Sequence, residues 1–434
     1  MLNFKSTLLF VFASSFILCG CEEEKSATSL PDNGVREPEA VAEAVKEIKT
    51  LNEIPAEARE EQVLALAKGN NAFAWEMFAR ICDPGKPVFF SPFSISTAMG
   101  MLTLGADGGT LSELKETMCY PDKGGLLGLE FQGLSSRIAS QNEFFKMTSA
   151  NSLWLNKNFE LLENYRNTLK RCFSGEASVL DFSRGREAAS TINKWVSDNT
   201  RGMITDLISP DALNAMTRLV LVNAVSFLGK WETEFEEDGT RKQTCQDHLG
   251  RTGKAEMMRL EANVITAEKD GVVAVELPYL GDKFSLVALM PSDNTKFAAW
   301  EKTLNQDLVK SICSELKREN IVLYFPKFET ESSFQLVPEF QKLGLKLPFT
   351  DSADFSKISD KEGLCVSDII HKAKIKVYET GTEAAAATAI MVKCTGINMK
   401  RPKEVRFNKP FVYLIQEKTT GSILFMGHFT VIGK

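Results

Sequence analysis

The sequence predicts one large α+β domain, and three observations carry that prediction. Helical apolar spacing dominates the first half of the chain, while β-branched or alternating runs dominate the second. Neither an internal repeat nor a proline-rich break divides residues 62–434, although length alone would suggest about three domains. A composition of 44% hydrophobic and 25% charged residues supplies a core of that size and a surface that keeps it in solution.

The N-terminus stands apart. One positive charge in MLNFK precedes the apolar run STLLFVFASSFIL, too short to span a bilayer and right for a signal-peptide core. The run ends in Leu18-Cys19-Gly20-Cys21, which resembles the lipobox of bacterial lipoproteins. Residues 1–20 are therefore expected to leave as a signal, with Cys21 carrying lipid (a palmitate-type anchor); a plain secretory signal is the alternative. A spanning helix is disfavoured because Glu22, Glu23 and Glu24 follow at once. The same CEEEK stretch resembles the surface-export signal of Bacteroidota lipoproteins, or is a solvated acidic tether. The expected location is a bacterial cell envelope, lipid-anchored at an outer membrane, with the periplasmic and external faces both open. Residues 21–61, rich in Glu, Ala, Lys and Pro, read as an acidic spacer.

The domain is expected to begin near Gln62, where Leu66, Asn70, Phe73, Met77 and Ile81 form one helical stripe. Ser91-Pro92 starts a second helix, with Ile95, Ala98, Met101 and Leu102 on one face and Gly105 to close it. Thr110 and Glu113 read as a capping box for the next. Residues 188–202 form an amphipathic helix with a glycine stop. TRLVLVNAVSF at 217–227 is nearly continuous and β-branched, as a strand buried on both faces would be. Further strands are predicted at VVAVELPY, FSLVALMP, IVLYFPKF, FVYLIQ and ILFMGHFTV. In HKAKIKVY at 371–378, Lys372, Lys374 and Lys376 alternate with Ala373, Ile375 and Val377, giving a wet face and a packed one.

Several chemistries find no support. The three histidines, His248, His371 and His428, lie in no HExxH motif, and no G-x-S-x-G serine occurs. GADGGT at 105–110 lacks a P-loop lysine. No enzyme activity, cofactor or metal is expected. A net charge of -6 without a Lys/Arg stripe argues against nucleic acid. Beyond Cys19 and Cys21 stand Cys82, Cys119, Cys172, Cys245, Cys313, Cys365 and Cys394, an odd number without CxxC spacing, so neither a disulfide framework nor a zinc site is expected.

Five separated segments then carry a resemblance: FFSPFSISTAMGMLTLGADGGT, INKWVSDNTRGMITDLI, TRLVLVNAVSFLGKWETEF, HKAKIKVYETGTEAAAATA, and FNKPFVYLI followed by GSILFMGHF. In order and spacing they resemble a serpin over residues 62–434. The resemblance implies a fold of three β-sheets and about nine helices with an exposed reactive-centre loop. It also implies a monomeric suicide inhibitor of serine endopeptidases, with cysteine endopeptidases as an open possibility. In that mechanism the cut loop enters the central sheet while the protease is still acylated. Residue by residue, it implies a hinge at Glu379, Gly381, Thr382, Glu383, Ala384, Ala385, Ala386, Ala387 and Thr388. A breach at the top of the sheet falls on Trp231, Lys327 and Glu379, with a Lys327–Glu379 ion pair closing it. A shutter beneath the sheet falls on Ser91, Ser94, Asn223 and His371.

The loop's own residues suit such an insertion. Strand side chains alternate between faces. Thr382, Ala384, Ala386, Thr388, Ile390, Val392 and Cys394 form one uncharged face, and both charges, Glu383 and Lys393, fall on the other. An inserted strand of residues 382–395 would span roughly 45 Å at about 3.3 Å per residue. In the common loop spacing the reactive bond joins Thr395 to Gly396; Lys393-Cys394 is the alternative and would suit a trypsin-like target. GLEFQGLSSRIAS has one basic residue, so no heparin activation is expected. A non-inhibitory serpin acting as a surface binding protein is the second reading, and an adhesin or nutrient-binding lipoprotein the third.

Overall fold

The computed structural model describes residues 56–121, 126–138, 144–382 and 402–431. Cys21, the spacer as far as residue 55 and loop residues 383–401 lie outside them. That sets Glu383, Ala384, Ala385, Ala386, Ala387, Thr388, Lys393, Cys394, Thr395 and Gly396 beyond structural description.

Helix α1 (Ala56–Ile81) opens the domain. It starts inside the stretch expected as spacer, because Glu57, Arg59, Glu60 and Glu61 are good helix formers and Glu60 pairs with Arg137. Its stripe buries Leu66, Phe73 and Met77. Asn70 in that stripe is buried too: its Oδ1 accepts a 2.7 Å hydrogen bond from Ser96 Oγ, and its Nδ2 has no partner among the described residues. Strand β1 (Val88–Phe90) leads into α2 (Pro92–Leu104), whose N-cap Ser91 accepts from Ser94 N. The capping box expected at Thr110 and Glu113 does not form. Helix α3 (Gly108–Thr117) begins three residues earlier, capped by Asp107. Thr110 Oγ1 instead accepts from Asp354 N, and Glu113 accepts from Lys346 N and Leu347 N. Both side chains satisfy backbone donors of a segment more than 200 residues away, partners that local spacing does not reveal.

The remaining elements follow in order: α4 (Leu127–Ile138), β2 (Phe145–Asn156), α5 (Glu163–Phe173), β3 (Glu176–Leu180), α6 (Gly185–Asn199), β4 (Leu219–Lys230), β5 (Arg241–Gln246), β6 (Thr252–Lys269), β7 (Val272–Pro278), β8 (Phe284–Pro291), α7 (Phe297–Trp300), α8 (Gln306–Cys313), β9 (Lys317–Gln335), α9 (Val337–Leu343), β10 (Val366–Tyr378), β11 (Gly381–Thr382), β12 (Lys403–Arg406), β13 (Phe411–Glu417) and β14 (Ile423–Phe429). Among the described residues that makes nine α-helices and fourteen strands, an α+β fold.

All fourteen strands join one hydrogen-bonded network, in the order β1-β14-β13-β8-β7-β6-β9-β10-β11-β4-β2-β3, with β12 on β9 and β5 on β6. Two long strands link three regions. The first half of β9 pairs with β6 and β12, and its second half, from Phe328, pairs with β10. Likewise β6 pairs first with β5, then β9, then β7. Strands of 18 and 19 residues twist enough that their ends face different neighbours.

The central region is β3-β2-β4-β10-β9. Along β4, Leu219, Leu221, Val225 and Phe227 enter the main core. The alternate residues Val220, Val222 and Ala224 pack with Ala188, Ala189, Ile192 and Val196 of α6. Both faces of β4 are thus covered, as its unbroken apolar run predicts.

Candidate functional site

β10 and β4 lie side by side and run parallel, paired from Val366 opposite Leu219, through a register shift at Ser367, to Lys374 opposite Ser226. Above Lys374 they part, and the chain leaving β10 turns at Glu379-Thr380 and comes back between them. Gly381 and Thr382 pair antiparallel with Tyr378 and Val377 on one side and with Lys230 and Gly229 on the other. The glycine before the expected inserting segment and that segment's first residue already occupy the top of the sheet. Gly381 is required there by close approach, since a Cβ on it would lie 2.1 Å from the Gly229 carbonyl oxygen.

Thr382 points inward and is 0% exposed. Its hydroxyl shares a 2.7 Å hydrogen bond with Tyr279 Oη. Tyr279 stacks on Trp231, ring centroids 4.6 Å apart, and meets Phe227 edge-on. Trp231 fastens the turn from the β4 side: Nε1 donates to Tyr378 O at 2.9 Å, and its backbone N–H donates to Thr380 O. Glu379 is held from below. Thr240 Oγ1 donates to Oε1 at 2.6 Å, and Lys327 Nζ reaches Oε2 at 3.0 Å while lying 5.0 Å above the Tyr378 ring. Partial burial pushes the Glu379 carboxyl up, but the Thr240 hydrogen bond, a backbone N–H and Lys327 together hold it below its ordinary value. It is a carboxylate at neutral pH, and the Lys327–Glu379 ion pair expected from the sequence is present.

Lower down, a polar cluster sits where β10 meets β4. His371 is fully buried on β10 beside Asn223 on β4. Its Nε2 accepts from Ser91 N at 3.1 Å, so Nδ1 carries the proton and donates to Asn223 Oδ1. Asn223 Nδ2 donates to Ser94 Oγ at 2.6 Å, to Ser94 O at 3.1 Å and to Asn151 Oδ1. Ser94 Oγ in turn meets Ser149 Oγ at 2.8 Å, and Ser91 Oγ donates to Leu424 O at 2.6 Å. Ser91, Ser94, Asn223 and His371, drawn from three distant parts of the sequence, form one network. Asn151 and Ser149 belong to it as well and were not anticipated. They stand on β2, whose stretch of Thr, Ser and Asn gives no strand signal.

Burial pushes the His371 pKa down to about 3 from an ordinary 6.5. The folded ring is neutral, and unfolding lets it take up a proton. A folded value below the unfolded one gives stability that is complete above pH 6.5 and declines as the pH falls toward 3. At about 1.4 kcal/mol per pH unit, moving from pH 6.5 to pH 5 removes roughly 2 kcal/mol. Denaturant midpoints measured across this window should fall accordingly, and His371→Gln should flatten the slope. An equal slope in the variant would assign the effect to other groups.

Comparison with known proteins places this arrangement. The family model described as serpin (serine protease inhibitor) matches residues 68–432. An uncharacterized serpin-like protein of Thermococcus kodakarensis is 34% identical over 372 residues, covering 85% of this chain and 86% of its own length. Human antithrombin-III is 33% identical over 399 residues, covering 86% of this chain and 82% of its own. Among solved structures, Serpin48 of the insect Tenebrio molitor, described as a highly specific serpin, superposes with a TM-score of 0.76 at 28% identity, covering 84% of this chain and 98% of that one. With a family model spanning most of its length and relatives above 30% identity, the chain belongs to the serpin family.

Proposed function

We propose that the protein is a suicide inhibitor of serine endopeptidases that traps the acyl-enzyme by drawing its cut loop between β4 and β10. One observation carries this reading: the chain entering the loop is already seated there, with Thr382 buried and Gly381 in close backbone contact with β4. Extending the β11 register by one residue sets Glu383 opposite Lys376 and Leu228, on the open face. The next step sets Ala384 opposite Ile375 and Phe227, both buried. Ala386 would follow opposite Ala373 and Val225, and Thr388 opposite His371 and Asn223. On insertion the uncharged side of the loop would thus meet the core, and Glu383 would meet a lysine. Insertion needs the His371–Asn223 bond to part, and Thr388 would bring a hydroxyl into the gap that opens. The roles of breach and shutter follow: Trp231, Lys327 and Glu379 hold the top of the sheet closed, and Ser91, Ser94, Asn223 and His371 govern its opening.

The chemistry selects the target class. A serine protease forms the ester that insertion must catch before water does, a cysteine protease forms the corresponding thioester, and a metalloprotease forms neither. Incubation with a panel of proteases should yield an SDS-resistant complex with a serine protease accepting small or β-branched residues. The released C-terminal fragment should begin at Gly396 by mass spectrometry. A fragment beginning at Cys394 moves the reactive bond to Lys393 and the target to a trypsin-like enzyme. Cleavage with every serine protease and a complex with none defeats the inhibitory reading.

The proposed setting is a bacterial envelope, with Cys21 lipid-bearing. The lipobox at 18–21 and the acidic run behind it support this. Cys21→Ser should remain unprocessed and take up no acyl label in cells. Normal processing and membrane fractionation of that variant would refute the anchor.

A further inference from the structure

We propose that Cys82, Glu301 and His428 form a binding site for a divalent cation of the zinc class. One sulfur, one carboxylate oxygen and one imidazole nitrogen converge so that their ligand atoms all lie within 4.8 Å of one another. The side chains of Glu301 and His428 are completely buried, and Cys82 is partly exposed.

The hydrogen bonds around His428 expose a chemical gap. Its Nε2 lies 2.7 Å from Lys86 O, a carbonyl that can only accept, so Nε2 carries a hydrogen. In a neutral ring Nδ1 is then a bare lone pair, and it faces Glu301 Oε2 at 2.9 Å. Two acceptors at that separation need something positive between them, a proton or a metal ion. The second carboxylate oxygen, Oε1, is buried and accepts a hydrogen bond from none of the described residues. A proton between Nδ1 and Oε2 would leave Oε1 orphaned. A cation could take Nδ1, the carboxylate and the Cys82 thiolate together. With a neutral imidazole, one carboxylate, one thiolate and a 2+ ion, the buried cluster would carry no net charge. On binding, Cys82 gives its thiol proton to solvent.

The surroundings suit such a site. The Nε2–H to backbone carbonyl bond is the outer-shell contact that fixes a ligating histidine. Phe78 and Phe297 pack edge-on against the imidazole, at 6.4 and 5.7 Å between centroids, and keep the nitrogen dry. Zinc bonds of about 2.0–2.3 Å in a tetrahedron set ligand atoms roughly 3.3–3.7 Å apart, so His428 and Glu301 need only separate by a few tenths of an ångström. Oε1 or a solvent molecule entering beside Cys82 can supply the fourth ligand. The ion would join the residue just past α1, the turn after α7 and strand β14. Sequence spacing gave no zinc motif because the three ligands are 219 and 127 residues apart.

The test uses the full chain, stripped with a chelator, desalted, and titrated with cobalt or zinc ions alone. One equivalent of Co²⁺ should give a thiolate charge-transfer absorption band that Zn²⁺ displaces. Zinc at a hundredfold excess over its Kd should raise the unfolding midpoint by about 2–4 °C. Cys82→Ser, at a partly exposed position, should lose both signals with an unchanged circular dichroism spectrum, and Glu301→Gln should weaken binding at least about tenfold. If the native chain shows no band and no zinc-dependent shift, the proposal is wrong. It is equally wrong if Cys82→Ser keeps the band, which would put the ion on another cysteine.

Discussion

Cutting the chain within 383–401 is expected to raise its melting temperature by at least about 10 °C. The reason lies in the sheet. β10 and β4 are parallel neighbours with a foothold between them at Gly381 and Thr382, and the segment that follows is compatible with pairing to both. While the loop is intact, its far end is fixed to β12, so it cannot lie down along the whole sheet. Once cut, about a dozen residues can pair on both edges, exchanging one parallel contact for two antiparallel ones. At about 1 kcal/mol net per paired residue the gain is on the order of 10 kcal/mol. An unfolding entropy of about 2 cal/mol/K per residue gives a chain of this length roughly 1 °C per kcal/mol. Scanning calorimetry on intact and nicked protein measures it. Equal melting temperatures would mean the loop stays outside, and the inhibitory reading would fall with them.

Thr382→Arg is expected to turn the inhibitor into a substrate. Thr382 is 0% exposed and bonded to a buried tyrosine hydroxyl. A guanidinium there would replace a hydroxyl bonded to a neutral buried tyrosine, and enclosing the charge unpaired costs several kcal/mol. The hinge would stay out of the sheet, insertion would slow, and deacylation would overtake it. The protease should then cut the variant and go free, with the stoichiometry of inhibition rising at least about tenfold. A charge placed at Ala385, on the opposite face, should leave inhibition within about twofold. Gel analysis of complex against cleaved product separates the two outcomes. Full complex formation by Thr382→Arg would overturn the assignment of faces.

Some of this was legible in the sequence. The β4 run, the lysine alternation of β10 and the Ser91-Pro92 start depend on neighbours two to four residues away, so local pattern determined them. Strand β6 was not legible. Its Ala, Glu, Lys and Met content favours a helix, and only pairing with β5, β9 and β7 makes it a strand. The Thr110 and Glu113 caps went wrong for the same reason, since both side chains were taken by a distant segment.

At the site the division is sharper. The sequence by itself determined the chemistry of the loop, because the segregation of charge onto one face is a property of order and period. It also determined the family, through five segments in register. Tertiary structure alone decided where the chain leaving β10 returns to the sheet. Gly381 fits only because β4 presents Gly229 beside it, and Thr382 is buried only because Tyr279 and Trp231 close over it. It alone set His371 against Asn223, and His428 against Glu301 and Cys82. Burial removes water from these groups, and their chemistry then depends on which partners the fold brings within hydrogen-bonding reach, a distance in space that separation along the chain does not encode.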